Sequence, residues 1–227
     1  AAPAGTGDVP SSVVVLPWRS AEIAGERRVQ LVVGPDTALD EDGWLRAIRS
    51  ARDRVWIEAF YADDPWGDRP NPFLEAAFDA ARRGVAVRLL FDGSNWSSEA
   101  EVTGNGQLAA ALNDRARREG VSLEARVLRP AGSIERVHNK GVLVDGRFAL
   151  ISSLNWARGS ATENREIGLL LEDPDIATRL EAAFRDDWEG RVPGTRDDRT
   201  IDDPATLAAI YAFVAAASAF SLRKLRR

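Results

Sequence analysis

Val137-His138-Asn139-Lys140-Gly141-Val142-Leu143-Val144-Asp145-Gly146-Arg147-Phe148-Ala149-Leu150-Ile151-Ser152-Ser153-Leu154-Asn155 is the stretch from which the rest of the chain can be read. His138 is the only histidine among 227 residues, and Lys140 is one of two lysines, although arginine is plentiful. Two apolar runs, Val142-Leu143-Val144 and Phe148-Ala149-Leu150-Ile151, flank Asp145-Gly146. That arrangement is a strong short-range hairpin signal. Residues two apart in a strand share a face, so His138 projects with Lys140 and Ser153 with Asn155. A two-residue loop pairs Val144 with Arg147 and sets Ser153 opposite His138. Directly opposed residues have Cβ atoms about 4.5–5.5 Å apart. The spacing thus predicts a small patch holding an imidazole, an ammonium, a hydroxyl and an amide. Such a set suits a phosphate ester: a nucleophile or base, a fixed positive charge and two neutral hydrogen-bond donors.

The pattern His138-x-Lys140, four residues, Asp145, then Ser153-x-Asn155 resembles the signature of the phospholipase D superfamily, with five polar positions in register over eighteen residues. Each residue alone has an ordinary structural reading, Asp145 as a turn former and Ser153 and Asn155 as backbone partners; the joint spacing is what points to chemistry. Ser152 stands where many members have glycine. Asn164-Arg165-Glu166 resembles the family's acidic residue that supports the histidine. Ala81-Arg82-Arg83-Gly84-Val85-Ala86-Val87-Arg88-Leu89-Leu90-Phe91-Asp92 is similar to the helix and strand that precede the family's hairpin. The similarity extends, more weakly, from Val29 to Trp188.

The resemblance implies a phosphodiesterase with site residues His138, Lys140, Asp145, Ser153, Asn155 and Glu166, no cofactor and no metal. A histidine attacks phosphorus to form a phosphohistidine, and a second imidazole protonates the leaving group. Lys140, Ser153 and Asn155 would hold the phosphate oxygens, Glu166 would orient the imidazole, and Asp145 would support the turn. One histidine cannot fill both roles, so a second His-x-Lys half is expected. A homodimer or an absent N-terminal half of a longer protein would supply it.

Composition sets the remaining bounds. A formal charge of −5 and a pI near 5.1 argue mildly against a dedicated nucleic-acid binder. Without cysteine, and with one histidine, a conventional zinc site is improbable. The absence of methionine, even at position 1, reads as a processed product or a fragment.

In chain order, residues 1–28 read as a linker or N-terminal extension and 29–190 as a phospholipase D-like catalytic domain. Strands are predicted over 29–33, 54–61, 85–91, 122–128 and 166–171, beside the hairpin. Helices are predicted over 40–52 with Asp40 as N-cap, and over 73–83, 107–119 and 176–188. Residues 92–106 read as a loop. The expected fold class is α/β: an α-β-α sandwich with a mixed, largely parallel central sheet, plus a C-terminal hydrophobic helix. Residues 191–204 form a polar spacer. Residues 205–222 carry no charge and Arg223-Lys224-Leu225-Arg226-Arg227 follows, which predicts a transmembrane or amphipathic helix with a basic tail. The expected localisation is therefore membrane-anchored, with the catalytic domain extracytoplasmic and the basic terminus cytoplasmic.

The expected substrate is a phospholipid, hydrolysed or used for phosphatidyl transfer, with the membrane as partner. One alternative is a metal-independent nuclease, for which Arg126, Arg129 and Arg136 would form a basic patch. Another is an inactive membrane-tethered scaffold. Trp66, Trp96 and Trp156 lie in or near predicted loops, where they either line an entrance or, as such tryptophans more often do, pack half-buried.

Overall fold

The protein is described by a computed structural model covering residues 23–94, 99–129 and 136–190. Seven strands form one mixed sheet: β1 (Arg28–Gly34), β2 (Arg54–Ala59), β3 (Ala86–Asp92), β4 (Leu123–Leu128), β5 (Gly141–Val144), β6 (Phe148–Ser152) and β7 (Glu166–Glu172). Their order is β1-β7-β6-β5-β2-β3-β4. The α/β architecture expected from the sequence is present. The parallel part is confined to β2-β3-β4, and the other four pairings are antiparallel. The hairpin β5-β6 is the cause: it inserts beside β2 running against it, and β7 and β1 continue the antiparallel ladder outward.

Helices cover the sheet on both faces. On one lie α1 (Trp44–Arg49), α2 (Pro72–Arg82) and α3 (Glu99–Glu119), with the short α4 (Arg158–Thr162) contributing Ala161. On the other lies α5 (Pro174–Trp188). Strand alternation divides the core accordingly. Val55, Ile57, Val142 and Leu150 pack with Trp44, Phe73 and Phe78, whereas Trp56, Leu143 and Ala149 pack with Phe184 and Trp188. Trp56 stacks on Phe184 with ring centroids 5.3 Å apart. Arg54 grips the buried Glu181 at 2.9 and 3.2 Å, which ties α5 to the start of β2. α5 leaves strands β1 and β7 uncovered on its side, where Val29, Leu31, Ile167 and Leu169 are exposed together with Ile151 of β6.

Capping chemistry explains the helix starts. Asn71 caps α2 by accepting from the N–H groups of Phe73 and Leu74, with Pro72 in the first turn. Asp173-Pro174 repeats the device at α5. α1 differs from expectation: it begins at Trp44 behind Gly43 rather than at Asp40. A Cβ on residue 43 would lie 2.0 Å from the Thr37 carbonyl oxygen, so the turn demands glycine there and Asp40 is left in the preceding loop. α3 begins at Glu99, well before the expected Gln107. Gly104 and Gly106 each cost the helix about 1 kcal/mol, but Asn105 between them points inward and donates to the carbonyls of Phe60 and Asp92, both at 2.9 Å.

The hairpin register also differs by one residue. Val144 pairs with Phe148, not Arg147, and Gly141 with Ile151. The loop is Asp145-Gly146-Arg147, with Asp145 at φ 55° and Gly146 at φ 64°. The Asp145 carboxylate accepts the backbone N–H groups of Arg52, Asp53 and Arg54 at 2.8–2.9 Å. Anchored this way, the turn takes one more residue into its loop, and Ser152, in place of the expected Ile151, stands against Lys140, its N–H donating to the Lys140 carbonyl at 2.9 Å.

The membrane-anchored localisation is not upheld. Among the described residues no helix is long and apolar enough to cross a membrane. The longest, α3, carries acidic and basic residues along its 21 positions. Residues 191–227, where the spacer, the hydrophobic segment and its basic tail were expected, lie outside the described residues.

Burial disfavours the Asp145 charge, but the three N–H groups outweigh it and hold the carboxyl below its ordinary range. Asp145→Ala is expected to lower the free energy of unfolding at pH 7 by about 2 kcal/mol, read by urea denaturation. Because the folded-state pKa is depressed, the bonus exists above the unfolded value near ~3.9 and is lost below it. The gap between wild type and variant should therefore narrow as the pH falls below about 4.

Candidate active site

The site forms at the carboxyl ends of β2 and β3, where Arg136–Lys140 runs into β5. Asp92, the last residue of β3 and 2% exposed, fixes that approach. One carboxylate oxygen accepts Val137 N–H at 2.7 Å, and the other accepts the N–H and hydroxyl of Ser94. His138 and Lys140 then meet: Nζ lies 3.1 Å from imidazole Nδ1 and donates to the His138 carbonyl at 2.8 Å. Phe60 backs both, with its ring 4.5 Å from the imidazole centroid and 5.0 Å from Nζ.

Electrostatics differ for the two groups. Burial pushes the Lys140 ammonium down to about 8, against the opposing charges of Glu166 and Asp92. His138 is exposed, yet partial burial of the ring, then Lys140 and Arg136, hold its pKa below the usual value. Near neutral pH the pair is thus an ammonium beside a neutral imidazole.

A second pair stands next to the first. Ser153 Oγ donates to the Glu166 carboxylate and accepts Ile167 N–H at 3.1 Å. Glu166 is 8% exposed and within electrostatic reach of Lys140. Its partner in the described structure is thus Ser153, whereas the sequence predicted a contact with the imidazole. The β6–β7 ladder explains this: Ser152 pairs with Gly168, and Ser153 N–H donates to the Ile167 carbonyl at 3.0 Å, beside Glu166.

Asn155 is half-buried and its Oδ1 is buried with no hydrogen-bond partner. Its neighbour Trp156 sets its place: Trp156 stacks on Phe73 at 5.4 Å and exchanges backbone bonds with Tyr61 and Asp63. Asp145 is not in the patch. It sits at the far end of β5, roughly 16 Å from Lys140 at about 3.3 Å per residue. Trp66 and Trp156 do not line an entrance either, because both pack on Phe73 in the core; Trp96 lies outside the described residues. Arg126 pairs with Glu124 at 2.8 Å and covers the Trp188 ring, so it offers little to a basic patch.

Comparison with known proteins follows this geometry. Residues 44–188 match the family described as "Cardiolipin synthase, PLD-like domain". The chain belongs to the phospholipase D superfamily. Among relatives of this superfamily, mitochondrial cardiolipin hydrolase of Danio rerio is 30% identical over 112 residues, covering 49% of this chain and 43% of the relative. Cardiolipin synthase A of Escherichia coli O157:H7 is 29% identical over 190 residues, covering 80% of this chain and 34% of the relative. The chain thus spans less than half the length of these relatives. Two solved structures superpose on it. The phospholipase D family member Nuc from Salmonella typhimurium has a TM-score of 0.56 at 20% identity, over 73% of this chain and 96% of that one. NucT from Helicobacter pylori has a TM-score of 0.53 at 19% identity, over 73% and 98%.

Sequence reasoning missed Asp92 and Phe60. The signal for Asp92 was present, as a carboxylate closing the apolar run Leu89–Phe91, but nothing local said that its partner Val137 was 45 residues away. Asp92→Ala is expected to leave two buried N–H donors unpaired and to cost about 2–3 kcal/mol in urea denaturation. Hydrogen exchange at Val137 should accelerate with it.

Proposed function

We propose that this chain is one half of a phosphodiesterase that acts on phospholipids through a phosphohistidine on His138. The contact between His138 and Lys140 at the rim of an apolar-walled cavity carries this reading. The imidazole Nε2 attacks phosphorus, the P–N bond forms, and the bond to the leaving oxygen breaks. Lys140 and the Asn155 amide stabilise the non-bridging oxygens as charge builds on them. A second imidazole gives its proton to the leaving alcohol. It then takes one from water or an acceptor alcohol, whose attack breaks the P–N bond.

The names of the relatives, cardiolipin hydrolase and cardiolipin synthase, support a phospholipid substrate. Two observations support a second half. The chain has one histidine, and the exposed strip of Val29, Leu31, Ile151, Ile167 and Leu169 lies on the sheet face that α5 leaves bare. The second half is another His-x-Lys domain, in a second copy or elsewhere in the same polypeptide. For Nε2 to attack, Nδ1 must carry the proton and needs an acceptor, but among the described residues the group 3.1 Å from it is the Lys140 donor. Pairing of two halves would bring a carboxylate such as Glu166 to that position.

His138→Ala is expected to abolish release of head group from liposomes and to eliminate an acid-labile phosphoenzyme trapped by rapid quench. Normal turnover by this variant would remove the nucleophile assignment. The pH profile gives a separate check. Lys140 loses its proton near pH 8, so kcat/KM should decline above about pH 8. Lys140→Gln should reduce it about 10²-fold or more at pH 7.

A further inference from the structure

Glu58 interrupts the buried strand Val55-Trp56-Ile57-Glu58-Ala59 and is itself only 7% exposed. Asp187 of α5, 6% exposed, meets it from the helix side. A third group joins them: the side chain of Asn139, between His138 and Lys140, hydrogen-bonds to Glu58. Two buried carboxyl groups in contact ordinarily call for a cation. Among the described residues none supplies it. Arg54 is engaged by Glu181, Arg126 by Glu124, and Lys140 lies under the influence of Glu166 and Asp92. The guanidinium groups of Arg88 and Arg185 lie 5.6 and 5.5 Å from the Trp56 ring centroid. Asp186 adds a further negative charge beside Asp187.

The remaining way to avoid two like charges under cover is to keep one proton between them. Burial, then the Asp187 charge, push Glu58 up to about 8, and burial brings Asp187 to about 6. Near neutral pH Glu58 is therefore the acid, and its O–H donates to the Asp187 carboxylate. The protonated form also suits Glu58 Oε1, which is sealed from solvent without a hydrogen-bond partner. Leaving the carbonyl of a neutral acid unpaired costs less than leaving half of a carboxylate so.

The pair has a position as well as a charge. On one side of His138, the Val137 N–H is held by Asp92; on the other, Asn139 is held by Glu58. The imidazole thus sits between two carboxyl anchors, one from β3 and one from β2. Asp187 stands behind the second and links the site to α5. We propose that Glu58 and Asp187 act as a single-proton pair that positions the His138-Asn139-Lys140 run through the Asn139 side chain. This inference rests on the phosphodiesterase reading above and adds positioning residues to it; neither carboxyl touches substrate.

The test uses the full chain with phosphatidylglycerol liposomes and reads kcat and KM separately. Glu58→Leu and Asn139→Ala should each lower kcat about tenfold and leave KM within about twofold, because the defect is in orientation rather than in binding. The two losses should not multiply, so the double variant should match the slower single one. Glu58→Gln, which accepts from Asn139 and donates to Asp187, should keep kcat within about twofold of wild type at pH 7. Multiplied losses in the double variant, or Glu58→Gln as slow as Glu58→Leu, overturn the proposal.

A second readout does not need turnover. His138 is the only histidine, so the chain gives one imidazole Cε1–H signal in a proton NMR titration. Loosening the run should lift its pKa towards the ordinary value, since partial burial, then Lys140 and Arg136, hold it down. The rise is expected in Glu58→Leu and Asn139→Ala and not in Glu58→Gln. An unmoved titration in the first two overturns the proposal. Liposomes left intact by wild type would instead overturn the phosphodiesterase reading, with the titration still deciding the anchor. Urea unfolding reads the shared proton. With both carboxyl pKa values raised, the folded chain keeps a proton that the unfolded chain has released. Wild type should therefore lose stability relative to Glu58→Gln as the pH rises from about 6 to about 8. Parallel pH curves for the two proteins overturn the shared proton.

Discussion

The site depends on what Asp92 does with its two oxygens. A nearly fully buried carboxylate at the end of β3 accepts Val137 N–H on one side and both donors of Ser94 on the other. It converts the exit of one strand into the dock for a segment far along the chain. In open α/β sheets the carboxyl edge is where strand ends leave a crevice. Asn105 completes the dock by tying the backbone of Phe60 to that of Asp92.

The charges follow from this placement. A lysine brought under cover next to an imidazole sheds part of its affinity for a proton, and the imidazole sheds some of its own. Glu166 and Asp92 restrain the loss at Lys140 without touching it. The balance leaves a cation and a neutral base in hydrogen-bond range. The fold maintains it by backbone bonds rather than by packing alone.

Much of this was legible in the sequence, and the failures have definite causes. The pairing of rare residues in Val137–Asn155 identified the hairpin and the His138–Lys140 contact, because both depend on local alternation. The register was missed by one residue, since the loop length depends on Asp145 reaching the backbone of 52–54, about ninety positions earlier. The β6–β7 ladder sets Ser153 beside Glu166. The sheet was read as more parallel than it is because the βαβ pattern of the first half is visible locally, whereas the insertion of β5 beside β2 is not.

The interval between Lys140 and Asp145 now has a mechanical meaning. β5 has four residues, Gly141–Val144, laddered onto Glu58, Ile57, Trp56 and Val55. It works as a ruler laid alongside β2, with the Lys140 ammonium at one end and a peg driven into the 52–54 backbone at the other. An inserted or deleted residue would leave the peg in its hole and rotate the ammonium to the wrong side of the sheet. Spacing in this signature is therefore a measurement of strand length, and Asp145 earns its place in it without ever meeting a phosphate.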